Sequence, residues 1–355
     1  MPAHRLLSGD TMKQLNAAAV RHTAVCLVTG TVFLAVCLHH TAAAQGIAAA
    51  GERCVQVLVP SLYFYAVLAG LAVSGGMLRG MARMLRPVCR LLRVDGELLS
   101  VLLFSQIGGY PVGAQLLHGM RLEGRISPAQ EQRLVCVCMG AGPGFVLGTV
   151  GAGLPGRTAL WLLMSVCLPD LVLGICLLRG ECTRPPVSGG IPRFAVLVTQ
   201  AAGGAARAML RICAMVLLFG GVMPLLEPVM SPAWPWRSVL EVSFLGREAL
   251  PLPAAAALLA FGGICVHCQI AAIGEGRLPW GRFLACRCIC AVLSGLLCRA
   301  GLLLFPQALP VMLMEGTAVR SSAHPLPGLC LLLMSVLLVL HPGGVPQGKK
   351  SLDSR

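Results

Sequence analysis

Acidic side chains are scarce in this chain, with 14 aspartates and glutamates in 355 residues against 28 lysines and arginines. Carboxylates so few and so scattered nominate no pair for general acid–base work. Charge of either sign is thin as well. The 12% of residues that carry it are about half of what the surface of a soluble domain needs, which argues against a soluble enzyme. The patterns GxSxG, HExxH and GxxxxGK[ST] are missing, and with them the signatures of serine hydrolases, zinc proteases and phosphate-cradling loops. No basic patch alternates with stacking aromatics, so the formal net charge of +14 does not indicate a nucleic-acid partner. Seventeen cysteines are present, yet many (Cys26, Cys37, Cys167, Cys176, Cys213, Cys298) sit in apolar blocks, where cysteine acts as a small hydrophobe. Cys265 and Cys268 form a CxxC and Cys286, Cys288 and Cys290 alternate, but no second pair with a matching histidine stands at a zinc-like spacing. Neither a metal nor a cofactor is expected.

What the chain has in excess is apolar length. Hydrophobic residues make up 56% and the mean hydropathy is +0.80. They arrive in blocks of roughly 20 residues, the thickness of a bilayer core. The first block is Ala24 to Ala44, after a polar and basic lead with Arg5, Lys13 and Arg21. Ala42, Ala43 and Ala44 before Gln45 also fit a signal-peptidase site, so this block reads as a retained first span or as a cleaved leader. Cys54 to Leu78 is the second block. Arg79, Arg83, Arg86, Arg90 and Arg93 follow it at helical spacing, with no acid before Asp95, as in a helix lying on the cytoplasmic membrane surface.

The next block, Leu98 to Met120, is broken by Ser105, Gln106, Gly108, Gly109, Pro111, Gly113 and Gln115. Irregular backbone at membrane depth is tolerated only inside protein or along a water-filled cavity. Basic flanks on both sides suggest a re-entrant hairpin. Ser127-Pro128-Ala129-Gln130 is a helix-start signal for a span over 134–153, interrupted at Gly140-Ala141-Gly142-Pro143-Gly144. Further spans are expected over 159–178, 194–226, 283–305 and 326–340, with a second broken segment at 254–273. Together these give an all-α polytopic membrane protein of about eight spans plus two re-entrant hairpins.

The two broken segments match. Gly108 to Gln115 and Gly262 to Gln269 share the frame GGxxVxxQ, and each precedes a full span. Three expected crossings lie between them, so the copies face opposite sides. That is the inverted-repeat, broken-helix architecture of secondary transporters. The domain reading is a tail and first helix over 1–53, one repeat over 54–180, a second over 190–305, and a last helix with a basic tail over 306–355.

Taken together, Gly109-Tyr110-Pro111-Val112-Gly113-Ala114, Cys138 with Gly142-Pro143, Gly148-Thr149-Val150-Gly151, Leu240-Glu241-Val242-Ser243 and Gly262 to Gln269 resemble the YlbJ family over residues 54 to 305. These are sporulation integral membrane proteins built on the nucleoside-recognition (Gate) domain. The resemblance implies a fold like that of concentrative nucleoside transporters, with two hairpins meeting two broken helices. It also implies movement of dipicolinic acid across the outer forespore membrane. The family carries an asparagine between the cysteine and the Gly-Pro, where this chain has Met139 and Gly140.

Candidate site residues follow from the breaks. Gly108, Gly109, Gly113, Gly142, Gly144, Gly262 and Gly263, with Tyr110, Pro111 and Pro143 beside them, form a backbone cradle whose helix ends favour an anion. Close helix packing is the alternative use of these glycines. Gln106, Gln115 and Gln269 offer amides to a solute or to their own freed backbone. Asp170, after Pro169, is costly in a bilayer and marks a coupling residue, or the partner of an arginine such as Arg207 or Arg211. His267 either titrates in the site or packs as a bonded imidazole. Thr149 is a further polar candidate. The partners expected are a small-molecule substrate, the lipid bilayer and, compatibly, further copies of the chain in a homo-oligomer. The chain is read as a transporter in a bacterial membrane and not as an enzyme. A membrane scaffold for spore-envelope assembly is the alternative.

Overall fold

A computed structural model describes residues 9–185, 193–231, 234–246, 248 and 250–304, with the side chains at 9–18, 21, 57, 61 and 149 outside that description. The expected 326–340 span and the 306–355 tail lie outside the described residues. In chain order the helices are α1 (Gly9–Leu38), α2 (His40–Arg53), α3 (Val59–Ser74), α4 (Met77–Met84), α5 (Arg86–Leu92), α6 (Gly96–Gly108), α7 (Tyr110–Leu122) and α8 (Pro128–Leu134). They continue as α9 (Pro143–Phe145), α10 (Gly156–Leu178), α11 (Phe194–Leu226), α12 (Trp236–Leu240), α13 (Leu252–Phe261), α14 (Ile264–Ile273) and α15 (Trp280–Leu304). No strand is found among the described residues. Two compact units are distinguished among the described residues: those up to Gly51 with those of 216–234, and those of 52–215 with those from Pro235 onward.

In the smaller unit, the block expected to be one straight span turns by 98° between His22–Leu38 and His40–Gln56. The Ala42-Ala43-Ala44 stretch is therefore helical, inside α2. Gly220 lies against Ala50 and Gly46, close enough that a Cβ there would overlap the Ala50 methyl. Small residues let two helices approach this closely where lipid supplies no hydrophobic drive.

The larger unit holds the broken segments. Asp95 caps α6, its Oδ1 accepting from the backbone N–H of Glu97 at 2.8 Å and Leu98 at 3.2 Å. Gly108 and Gly109 end that helix, and α7 folds back along it. Ser105 packs on Gly113 across the turn, and an ion pair joins Glu97 to Arg125 at the open end. The first expected hairpin is thus a helical hairpin. A capping box at Ser127 and Gln130 opens α8, as the sequence signal indicated. That helix stops at Leu134, and residues 135–142 are unwound and buried. The break is longer than the sequence suggested. A π-helical turn, Val146–Val150, and not a regular helix, leads on to the next span.

The second broken segment is corrected. It does not fold back: α13 and α14 continue one another across Gly262 and Gly263 as one apolar stretch, Leu252–Ile273. Tyr110 Oη, at the start of α7, donates to the Leu259 carbonyl at 2.8 Å. At the far ends Arg121 Nη2 meets Glu275 Oε2 at 3.1 Å. The two outgoing arms α7 and α14 therefore run side by side in one direction, whereas an inverted pair would oppose them. Among the described residues four helices are long and apolar enough to cross a bilayer, or up to six if each of two bent pairs counts as one span. The count falls below eight because 134–153 is unwound in part and the tail lies outside the description.

Polar groups gather at one end of this unit, where α3, α7, α10 and α14 finish and α6, α8 and α15 begin. His118 Nδ1 and Arg121 Nε both reach the Glu131 carboxylate, at 3.0 and 2.7 Å. Asp95 Oδ2 accepts from the Thr183 hydroxyl and N–H. Burial pushes the Glu123 carboxyl above its ordinary range, against the pull of the Ser74 hydroxyl and Arg79. The Arg125 guanidinium is lowered by burial and by the neighbouring Arg79.

Candidate binding site at the converging helix breaks

Three interruptions of regular backbone meet inside the larger unit. At Gly109 the chain takes φ 87° and ψ 173°, and at Gly263 φ 75° and ψ 149°. Both conformations lie in or beside the region that only glycine occupies without strain, so the second glycine of each GGxxVxxQ frame plays the same part, whereas Gly108 is helical and Gly262 left-handed at φ 90°. Gly142 lies against Gly109, where a Cβ would sit 3.1 Å from the Gly109 nitrogen. Gly262 faces Met139 and the Tyr110 ring. The third interruption, 135–142, runs between the other two. Gly113 supports it from below, since a side chain there would overlap the Cys138 carbonyl oxygen. The backbone of Leu240 and Val242, on either side of the extended Glu241, also reaches Gly263.

Unwound backbone away from water must find partners for its carbonyls. Arg287, on α15 and wholly buried, supplies them. Its Nη2 donates to the Cys136 carbonyl and to Asp170 Oδ1, both at 2.8 Å. Its Nη1 donates to the Met139 carbonyl at 3.0 Å and approaches the Ala260 carbonyl at 3.4 Å. One guanidinium thus ties the unwound stretch, the end of α13 and α10 together. The partner of Asp170 is Arg287, not Arg207 or Arg211.

Four polar atoms in this region have no hydrogen-bond partner: Gln106 Nε2 and Oε1, Asp170 Oδ2 and Arg287 Nε. Gln106 is 6% exposed and its amide lies against Gly140, where a Cβ would collide with it. Leaving a buried amide unmet costs about 1–3 kcal/mol per group. Buried groups of this kind are met by water, an ion or a bound molecule, or else hold strain. The donors and acceptors here suit a small polar molecule.

The expected residues divide clearly. Gln106, Gly108, Gly109, Tyr110, Pro111, Gly113, Gly142, Gly262 and Gly263 are brought together, with Pro143 half-buried at the start of α9. Gly144 is not part of the cradle, being exposed with nothing within 4 Å of a Cβ. Gln115, half-buried one turn along α7, leaves its Nε2 unpartnered. Gln269 Nε2 is turned back to Cys265 Sγ at 3.4 Å on its own helix. His267 Nε2 bonds the Phe261 carbonyl at 2.8 Å, and its ring packs edge-on between Phe261 and Phe283. It is a packed imidazole spanning the break. The Thr149 side chain lies outside the described residues. Arg287 is the residue that sequence reasoning passed over. The signal that could have found it is its place seven residues inside an apolar helix, where an arginine needs a buried partner.

These features define a polytopic helical membrane protein with its polar groups turned inward on broken backbone. No family model matches the chain, and no solved structure is matched. Over 123 residues, 34% of its length, it is 30% identical to the sporulation integral membrane protein YlbJ of Bacillus subtilis (strain 168). The matched part is 30% of that relative's own length.

Proposed function

We propose that the protein is a membrane carrier for a small polar solute, held where the helix breaks converge. The observation that carries this reading is the unpartnered Gln106 amide, buried beside Gly140 among three interruptions of the backbone. In this reading the solute bonds Gln106 and the backbone freed at Gly109, Gly142 and Gly263. Asp170, with Oδ2 unpartnered, takes up a coupling proton or cation. The likeness to the sporulation integral membrane protein YlbJ supports a membrane role in sporulation, and the family resemblance of the sequence motifs makes dipicolinic acid the solute to test first.

Uptake of labelled dipicolinate by proteoliposomes carrying the full chain tests this. Saturable uptake that Gly109→Leu abolishes supports the carrier and its site. Loss in Asp170→Asn, with Gly109 intact, supports the coupling role. Uptake no greater than in empty liposomes, for dipicolinate and for nucleosides alike, refutes this reading and leaves the membrane-scaffold alternative.

A further inference from the structure

Between α3 and α6 the chain leaves the direction of its apolar helix abruptly. Leu62–Ser74 and Met77–Met84 meet at 80°, at a turn made by Gly75 and by Gly76 with φ 75°. If α3 lies along the bilayer normal, α4 and α5 lie across it. Their inner face is fixed by Leu78, wholly buried, and Cys89, 8% exposed. Their outer face carries two adjacent stripes. One is apolar: Met84 and Leu91 are each 82% exposed, and Val88 is 42% exposed. The other is cationic: Arg83, Arg86, Arg90 and Arg93 are all exposed. Residues 77–94 contain no acid, and Asp95 is occupied by its helix cap and by Thr183.

Large apolar side chains this exposed are costly in water and at home in the acyl–headgroup boundary, where interfacial helices bury one face. Arginines beside them at that depth meet phosphate oxygens. Neutral headgroups offset that phosphate with an ammonium and anionic ones do not, so the stripe discriminates by charge. The apolar stripe also argues against a nucleic acid or a soluble acidic partner, which would leave it wet. We propose that α4–α5 is a binding ledge for anionic phospholipid headgroups, seated flat at the end of the protein where its ion pairs gather.

The test uses the full chain reconstituted in phosphatidylcholine membranes with trace spin-labelled phosphatidylglycerol or phosphatidylcholine. Electron paramagnetic resonance then gives the relative association of each lipid with the protein. The wild type should favour phosphatidylglycerol by about fivefold, the equivalent of about 1 kcal/mol for one lipid charge meeting one arginine. That preference should fall toward unity in the fourfold variant Arg83→Gln/Arg86→Gln/Arg90→Gln/Arg93→Gln. Screening of the unmodified protein by about 1 M salt should lower it too, because the Debye length then shrinks to about 3 Å. This salt arm stands even if the fourfold variant fails to assemble. An unmodified protein with no preference, or a folded fourfold variant that keeps it, overturns the proposal. The result is independent of whether the chain transports anything.

Discussion

Replacing Arg287 with leucine should destabilise the larger unit more than any other single change among the buried groups described. The substitution removes the cation opposite Asp170, which is itself wholly buried. Breaking a buried pair from one side typically costs about 3–5 kcal/mol, because the remaining charge is left without compensation. Arg287 also serves the Cys136 and Met139 carbonyls at 2.8 and 3.0 Å, and each orphaned carbonyl adds about 1–3 kcal/mol before relaxation. The upper half of the range is therefore expected. At about 2–4 °C per kcal/mol for a domain of this size, the melting temperature should drop by about 8–20 °C. Trp161 is a convenient reporter, since its Nε1 donates to the Cys298 carbonyl at 3.3 Å between α10 and α15. Its fluorescence can be followed on heating the detergent-solubilised full chain. Removing both charges in Asp170→Leu/Arg287→Leu should recover about 2 kcal/mol of the loss, the part due to the unpaired carboxylate, while the carbonyls stay unserved. A melting temperature for Arg287→Leu within about 2 °C of wild type would refute the reasoning. So would additivity of the two single changes in the cycle.

Two further predictions concern the backbone and the polar end. Gly113→Ala should cost about 1–3 kcal/mol, because the new methyl overlaps the Cys138 carbonyl; Gly144→Ala, with open space around it, should stay within about 0.5 kcal/mol. Equal melting shifts for the two would contradict the close approach of α7 to the unwound stretch. The Glu123 carboxyl is raised above its ordinary value of 4.5, first by burial. The folded state then holds the proton more tightly than the unfolded one, so stability is fullest below pH 4.5 and falls as pH rises through the folded-state value. Glu123→Gln should flatten that decline in melting temperature, and an unchanged slope would assign it to other groups.

How much of this was written in the sequence depends on the kind of feature. Membrane class, the helix start at Ser127 and the break at Gly108–Gly109 follow from composition, a cap pattern and glycine conformational freedom, all of them local. The fold-back at the first break and the straight course of the second did not follow from the shared frame. Two glycines permit either outcome, and packing decides: α6 closes on α7 through Ser105, Gly113 and the Glu97–Arg125 pair, whereas α13 and α14 are both lined up against α15 by Gly295, Arg287 and Phe283. Gly109, Gly113, Gly142, Gly262 and Gly263 stand at close approaches that need the missing Cβ, whereas Gly144 does not. Asp170 was legible as a buried acid, but its partner was not, since the pair joins residues 117 positions apart with no local pattern linking them.

The knot around Arg287 also bears on how the chain is made. The carbonyls and the carboxylate this guanidinium bonds, at Cys136, Met139, Asp170 and Ala260, all precede it in sequence, whereas the Cys290 thiol it also meets lies one turn further along α15. An arginine at the centre of an isolated helix raises the cost of membrane insertion by about 2.5–3.5 kcal/mol. Synthesis from the N-terminus delivers α15 after its acceptors have been laid down, so the costly helix emerges beside the groups that offset it. Asp170 waits uncompensated for the length of chain between α10 and α15, and a nascent chain halted in that interval carries a buried acid with no counter-ion.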